Sequence, residues 1–142
     1  MKNIKILIFI CSIFFVSCDV QTNILVVNKK KSAIVKVSYN RKHYSYVFEN
    51  YKNKDFLNSI LISNDHLILV KCDTVNNELS FSFKLLKNDT LFIDKSRGVK
   101  PNYSSIDSIT ILKGNAKKIT LTSNNYDENF KKYDNIFIYN IY

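Results

Sequence analysis

The sequence predicts an all-β fold, an antiparallel β-sandwich of immunoglobulin-like or barrel-like form, following a cleaved N-terminal signal peptide. Three observations carry that expectation. Past residue 23 the chain breaks into short runs of alternating apolar and polar residues, separated by polar clusters at roughly ten-residue intervals. The runs are rich in Ile, Val, Phe and Tyr, side chains that suit a pleated, half-buried surface. The composition is 46% hydrophobic with only 2 Gly and 1 Pro in 142 residues, which excludes collagen-like and linker sequences and argues against wholesale disorder. At roughly 100–200 residues per domain the length allows one domain, large enough for a core without disulfide staples.

The elements follow in chain order. Lys2 and Lys5 precede Ile6–Val16, an almost unbroken apolar run. A membrane-spanning helix needs about 20 such residues, and this run has about half that number before the polar Ser17 and the acidic Asp19. A positive start followed by a short apolar stretch is the pattern of an export signal. The run ends in Phe15-Val16-Ser17-Cys18. That ending resembles the lipobox of bacterial lipoproteins, in which a small residue precedes an invariant cysteine; Phe15 stands where the family usually has Leu. The Asn/Lys/Ile-rich composition and the Ser-Cys ending resemble small, uncharacterised Bacteroidota-type lipoproteins with an all-β domain. So does the strand-like segment Asn88-Asp89-Thr90-Leu91-Phe92-Ile93-Asp94 in the middle of the chain.

The resemblance implies a diacylglyceryl group on the Cys18 thiol, cleavage between Ser17 and Cys18, and acylation of the new amino group. It divides the chain into a signal peptide (1–17), a lipidated tether (18–23) and a single β-rich domain (24–142). It implies a position on the cell membrane or outer membrane, facing the periplasm. Loss of Lys2 and Lys5 with the signal lowers the net charge from +9 to +7. At about 3.3–3.6 Å per residue, the tether Asp19–Asn23 reaches less than about 20 Å, so the domain is expected to sit against the membrane. Exported proteins of the same type are O-glycosylated at Asp-Ser/Thr followed by an aliphatic residue, which makes Thr74, Thr90 and Ser108 candidate glycosylation sites.

Nine strands are expected: Ile24–Val27, Ala33–Tyr39, His43–Phe48, His66–Cys72, Leu79–Leu86, Thr90–Asp94, Ile106–Leu112, Lys118–Thr122 and Ile136–Ile141. The alternation is cleanest in Leu79-Ser80-Phe81-Ser82-Phe83-Lys84-Leu85. With so little Gly, the turns fall on Asn: Asn40, Asn76-Asn77, Asn88-Asp89, Gly114-Asn115 and Asn124-Asn125. Asn tolerates the left-handed region and bonds to its own backbone. Phe56–Ser63 reads equally as a strand or as a helical turn behind Asp55, and Tyr126–Tyr133 as a short helix.

The functional residues are sparse. The resemblance implies that Cys11 leaves with the signal and Cys18 is taken by lipid, which would leave Cys72 as the one thiol and no partner for an intramolecular disulfide. Period-2 alternation places it with Ile68 and Val70, opposite Lys71, as a small buried hydrophobe. The only histidines are His43 and His66, and no metal-ligand spacing, nucleophile elbow or calcium-loop pattern surrounds them or the pairs Asp65/Asp73 and Asp89/Asp94. No catalytic residue, cofactor or metal is therefore expected.

A basic chain raises the question of nucleic acid, but export and the lack of any RRM, KH or zinc-finger spacing argue against that partner. The basic runs Lys29-Lys30-Lys31 and Arg41-Lys42, close in sequence to the tether, can lie on an anionic leaflet or serve as solvated turn tips. Tyr44, Tyr46 and Phe48 share a strand face that can stack on a glycan or a protein partner, or simply pack across strands. The expectation is a membrane-anchored, non-catalytic binding or structural module of the cell envelope. The alternative is a small secreted enzyme or enzyme inhibitor on the same fold.

Overall fold

The computed structural model describes residues 20–40, 42, 54–73, 79–114 and 117–142, with the side chains of 54–57 outside the description. The expected strand His43–Phe48 therefore lies outside the described residues, as do the signal peptide, Ser17, Cys18 and the Asn76-Asn77 hairpin.

The fold is all-β. Nine described strands run in order: β1 (Gln21–Asn28), β2 (Ser32–Tyr39), β3 (Ile68–Asp73), β4 (Leu79–Leu86), β5 (Thr90–Arg97), β6 (Ile106–Lys113), β7 (Lys117–Thr122), β8 (Lys131–Tyr133) and β9 (Ile136–Ile141). Helix α1 (Lys54–Ser63) precedes β3, and a single-turn helix α2 (Tyr126–Asn129) precedes β8. The strands form a four-stranded sheet, β5-β1-β9-β8, and a five-stranded sheet, β3-β4-β2-β6-β7. All pairings are antiparallel except β1 with β9, which run parallel.

One core fills the space between the two sheets. Alternation decides what enters it: Ala33, Val35, Val37 and Tyr39 of β2 face Ile24 and Val26 of β1, with Phe81, Phe83, Ile109 and Ile111 from the flanking strands. Tyr39 crosses the sandwich and donates its hydroxyl to the Ile93 carbonyl at 2.7 Å, so its polar end is satisfied inside the core.

Three irregularities adjust this pattern. Ile24 pairs with Asp94 but Leu25 with Phe92, leaving Ile93 as an extra residue in β5; Ile93 stays in the core, and Asp94, opposite the buried Ile24, is turned to the same inner side at its margin. In β6, Tyr39 pairs with Ile106 and Ser38 with Ser108, so the extra residue is Asp107. That bulge brings Ile106 to the core face although it stands two positions from the outward Ser108. In β3 the skipped residue is Val70.

The bulge in β3 corrects the expectation for Cys72. Its partner is Phe81, a core-facing position, and it shares that face with Leu69 rather than with Ile68. Even so, the thiol is exposed, and so is every residue from Ile68 to Cys72. β3 is an edge strand of the five-stranded sheet.

The ambiguous segment 56–63 is helical, within Lys54–Ser63. Only Tyr126–Asn129 of the expected helix Tyr126–Tyr133 forms; Lys131–Tyr133 turns into β8 and pairs with β9. The turn residues behave as expected at Asn88, where φ is 71°, while Asp134 (φ 50°) takes the same conformation in the β8–β9 turn. No helix among the described residues is long and apolar enough to cross a membrane.

Candidate functional site

The start of the domain is fixed tightly. β1 begins at Gln21, three positions earlier than the alternation implies. Before it, the Val20 carbonyl accepts the Gly98 N–H at 2.7 Å, and the Thr22 hydroxyl donates to the Gly98 carbonyl. Gly98 has φ of 112°, which a residue with a Cβ adopts only under strain, so glycine is what lets the chain double back here. The point where the described chain enters the fold is therefore held at one end of the sandwich, beside Arg97, the partner of Gln21.

The same end holds a groove of about 650 Å³ between α1 and β5. Ser59, Ile60 and Ser63 form the helix side, and Phe92 and Asp94–Arg97 the strand side. Asn102 and Ser105 close it from the 3-10 turn Tyr103–Ser105. The β5 bulge explains why a carboxylate lies here. Asp94 Oδ2 accepts the Ser105 hydroxyl at 2.6 Å and Oδ1 accepts the Lys95 N–H at 2.8 Å. Asn102 caps the 3-10 turn through the Ser104 N–H, and its own N–H donates to the Ser96 hydroxyl at 3.2 Å. The polar groups hold the walls together, and the lining offers hydroxyls and amides to a ligand rather than a nucleophile aligned with a base.

A smaller hollow of about 260 Å³ is lined by Lys100, Pro101, Tyr103, Asp127, Lys132 and Phe137. Behind it Tyr103, Tyr126, Phe130 and Tyr139 pack as an aromatic cluster with ring centroids 4.8–6.0 Å apart. The hydroxyls of Tyr103 and Tyr126 are both buried without a hydrogen-bond partner. Burial pushes the Tyr103 phenol up to about 12, helped by the Asp127 carboxylate. Burial also raises Tyr126, with Asp107 and Tyr103 adding to the effect. Tyr39, Tyr103 and Tyr126 are thus packing residues, and Tyr133 is an exposed one.

The other residues singled out by sequence are dispersed. His66 leaves the loop after α1 exposed, with Nε2 at 3.0 Å from the Thr90 carbonyl and Nδ1 at 3.8 Å from Asp65. Cys72 stands on β3, where partial cover and the Asp73 carboxylate hold its thiol above its ordinary value. Asp89 caps its own turn by accepting the Leu86 N–H at 2.7 Å. Asp94 is farther along the same strand, so these two carboxylates serve separate sites. Asp73 is paired with Lys71 at 3.1 Å. No group of three or more His, Cys, Asp or Glu able to hold a metal occurs among the described residues.

Of the candidate glycosylation sites, Thr90 opens β5 half-buried and Ser108 lies half-buried in β6 between Ser38 and Thr122; Thr74 lies outside the described residues. Tyr44, Tyr46, Phe48 and His43 also lie outside them. Lys29–Lys31 occupy the β1–β2 turn, the far end of the sandwich from Val20, so closeness in sequence to the start of β1 is not closeness in space. Sequence reading missed Asn102 and Ser105, whose short polar side chains next to Pro101 signal a capped turn but not a groove wall. No protein-family model, curated protein or solved structure matches this chain.

Proposed function

We propose that this chain is a lipoprotein of the bacterial cell envelope, held at Cys18 by lipid and acting as a non-catalytic binding or structural module. The observation that carries the reading is the entry of the chain into the fold. β1 starts three positions after Cys18, and Val20 is already bonded to Gly98. At about 3.3–3.6 Å per residue the free reach from Cys18 to the strand is about 10 Å. A lipid there fixes one chosen end of the sandwich against the leaflet, where two or three acyl chains hold firmly and one holds marginally. The groove beside Arg97 then opens next to the membrane, placed to meet an envelope protein or glycan. The lipobox resemblance supports a periplasm-facing position on the cell membrane or outer membrane.

Replacing Cys18 with Ala and fractionating the cells tests this. The wild-type chain is expected in the membrane fraction and released only by detergent; the variant is expected to lose the lipid-bearing, processed form. A wild-type chain that is soluble and unlipidated overturns the proposal.

A further inference from the structure

We propose that the groove between α1 and β5 binds a neutral oligosaccharide, which rests on the reading of this chain as an envelope binding module and gives that module its ligand class. Its volume of about 650 Å³ falls within the roughly 300–1,000 Å³ of small-ligand sites, where apolar surface is combined with a few placed polar groups.

The lining has that make-up, and its polar share is rich in hydroxyls: four of the ten lining residues are serines. Ser59 and Ser63 stand four positions apart in α1, one above the other on the face turned to the groove. Ile60 and Phe92 supply apolar surface. Asp94 is a fixed acceptor, half-buried and oriented by the Ser105 hydroxyl at 2.6 Å and the Lys95 N–H at 2.8 Å. Ser105 is only 1% exposed, so this support is part of the fold. Asn102 Oδ1 is engaged by the Ser104 N–H and hydroxyl, which leaves its Nδ2 as the group that can donate to a ligand.

The combination selects the ligand. A carboxylate acceptor, an amide donor and serine hydroxyls suit sugar hydroxyls, each of which both donates and accepts. The negative face of an aromatic ring suits the slightly positive C–H face of a pyranose. An extended peptide would add itself to the open edge of β5, but the Asn64 amide already takes both backbone groups of Phe92 there. The lining sets one carboxylate, Asp94, against Lys95 and Arg97, a balance too even to select a polyanion.

The test is calorimetric titration of the full chain, held in a detergent without a sugar headgroup, with maltotetraose, cellotetraose, chitotetraose and tetra-alanine. At least one tetrasaccharide is expected to bind, with an affinity insensitive to salt, and tetra-alanine is not. Ser63→Trp, a bulky side chain at an exposed position on the groove wall, is expected to abolish binding with the β-sheet circular dichroism unchanged. Asp94→Asn, which removes the charged acceptor, weakens binding about tenfold. Failure of all three tetrasaccharides to bind, binding of tetra-alanine alone, or saccharide binding untouched by Ser63→Trp overturns the proposal. Fractionation judges the lipoprotein reading separately: a detergent-released, lipidated chain that binds no tetrasaccharide keeps that reading and loses this one.

Discussion

The side-chain amide of Asn64 makes both backbone hydrogen bonds of Phe92: Oδ1 accepts the Phe92 N–H at 2.8 Å, and Nδ2 donates to the Phe92 carbonyl at 2.9 Å. β5 is an outer strand of its sheet, so one side chain at the end of α1 substitutes for a missing neighbour and closes an edge that would otherwise invite pairing. The same Nδ2 lies 2.9 Å from the Ile60 carbonyl, which ties the helix end to the strand.

Asn64→Ala is therefore expected to destabilise the fold by about 2–4 kcal/mol in denaturant titration, because two backbone groups of Phe92 lose their partners. Asn64→Asp retains the acceptor for the Phe92 N–H but sets a buried carboxylate oxygen against the Ile60 and Phe92 carbonyls, so at neutral pH it is expected to destabilise at least as much as Asn64→Ala. An Asn64→Ala protein as stable as wild type would show that the edge finds other partners.

Tyr39 and Tyr126, both buried, should respond differently to loss of their hydroxyls. Tyr39→Phe removes the bond to the Ile93 carbonyl and costs about 1 kcal/mol. Tyr126 has a buried hydroxyl with no partner, so Tyr126→Phe removes an uncompensated desolvation and leaves stability equal or raised by about 1 kcal/mol. Thermal unfolding of both variants gives the comparison; equal losses would mean that the Tyr126 hydroxyl is in fact bonded.

Alkaline pH should loosen the aromatic cluster. In the folded state the Tyr103 phenol is raised from 10.0 to about 12, and Tyr126 and Tyr139 also move upward, each chiefly through burial. The unfolded chain releases those protons near pH 10, before the folded one does. The stabilisation is thus fully present below about pH 10 and declines as pH rises from there through about 12. Tyr103→Phe is expected to flatten the decline in unfolding free energy across that window; an unchanged slope would contradict the assignment.

Cys72 should react with a maleimide in the native state, because it is exposed on β3. The reaction is expected to be slower than that of a free thiol at neutral pH, since the thiolate is disfavoured by partial burial and by Asp73. Labelling that requires denaturant would restore the buried placement that alternation suggests.

Most of the fold is legible where the sequence information is local. Leu79–Leu86 follows its alternation except at Ser80, an outward position that is nonetheless buried, and β2 spans Ser32–Tyr39 against an expected Ala33–Tyr39. Asn88 takes the positive φ that its side chain tolerates. Features that depend on a partner are not legible. The segment 56–63 is an apolar run too short for its period to separate helix from strand. The bulges at Val70, Ile93 and Asp107 exist only relative to the neighbouring strand, and the first of them changes which residues share a face with Cys72. The parallel pairing of β1 with β9 joins segments more than 100 positions apart. The groove is harder still, since Ser59 and Ser105 meet only through the fold. The proposed attachment at Cys18 rests, by contrast, on four consecutive residues, Phe15 to Cys18.

Intact mass of the native chain extracted from membranes tests the central claim most directly. A chain that begins at Cys18 and carries diacylglyceryl and acyl additions on that residue is predicted, with glycan increments reporting separately on Thr74, Thr90 and Ser108. A chain that still carries residues 1–17, or that begins at Cys18 with an unmodified thiol, would contradict it.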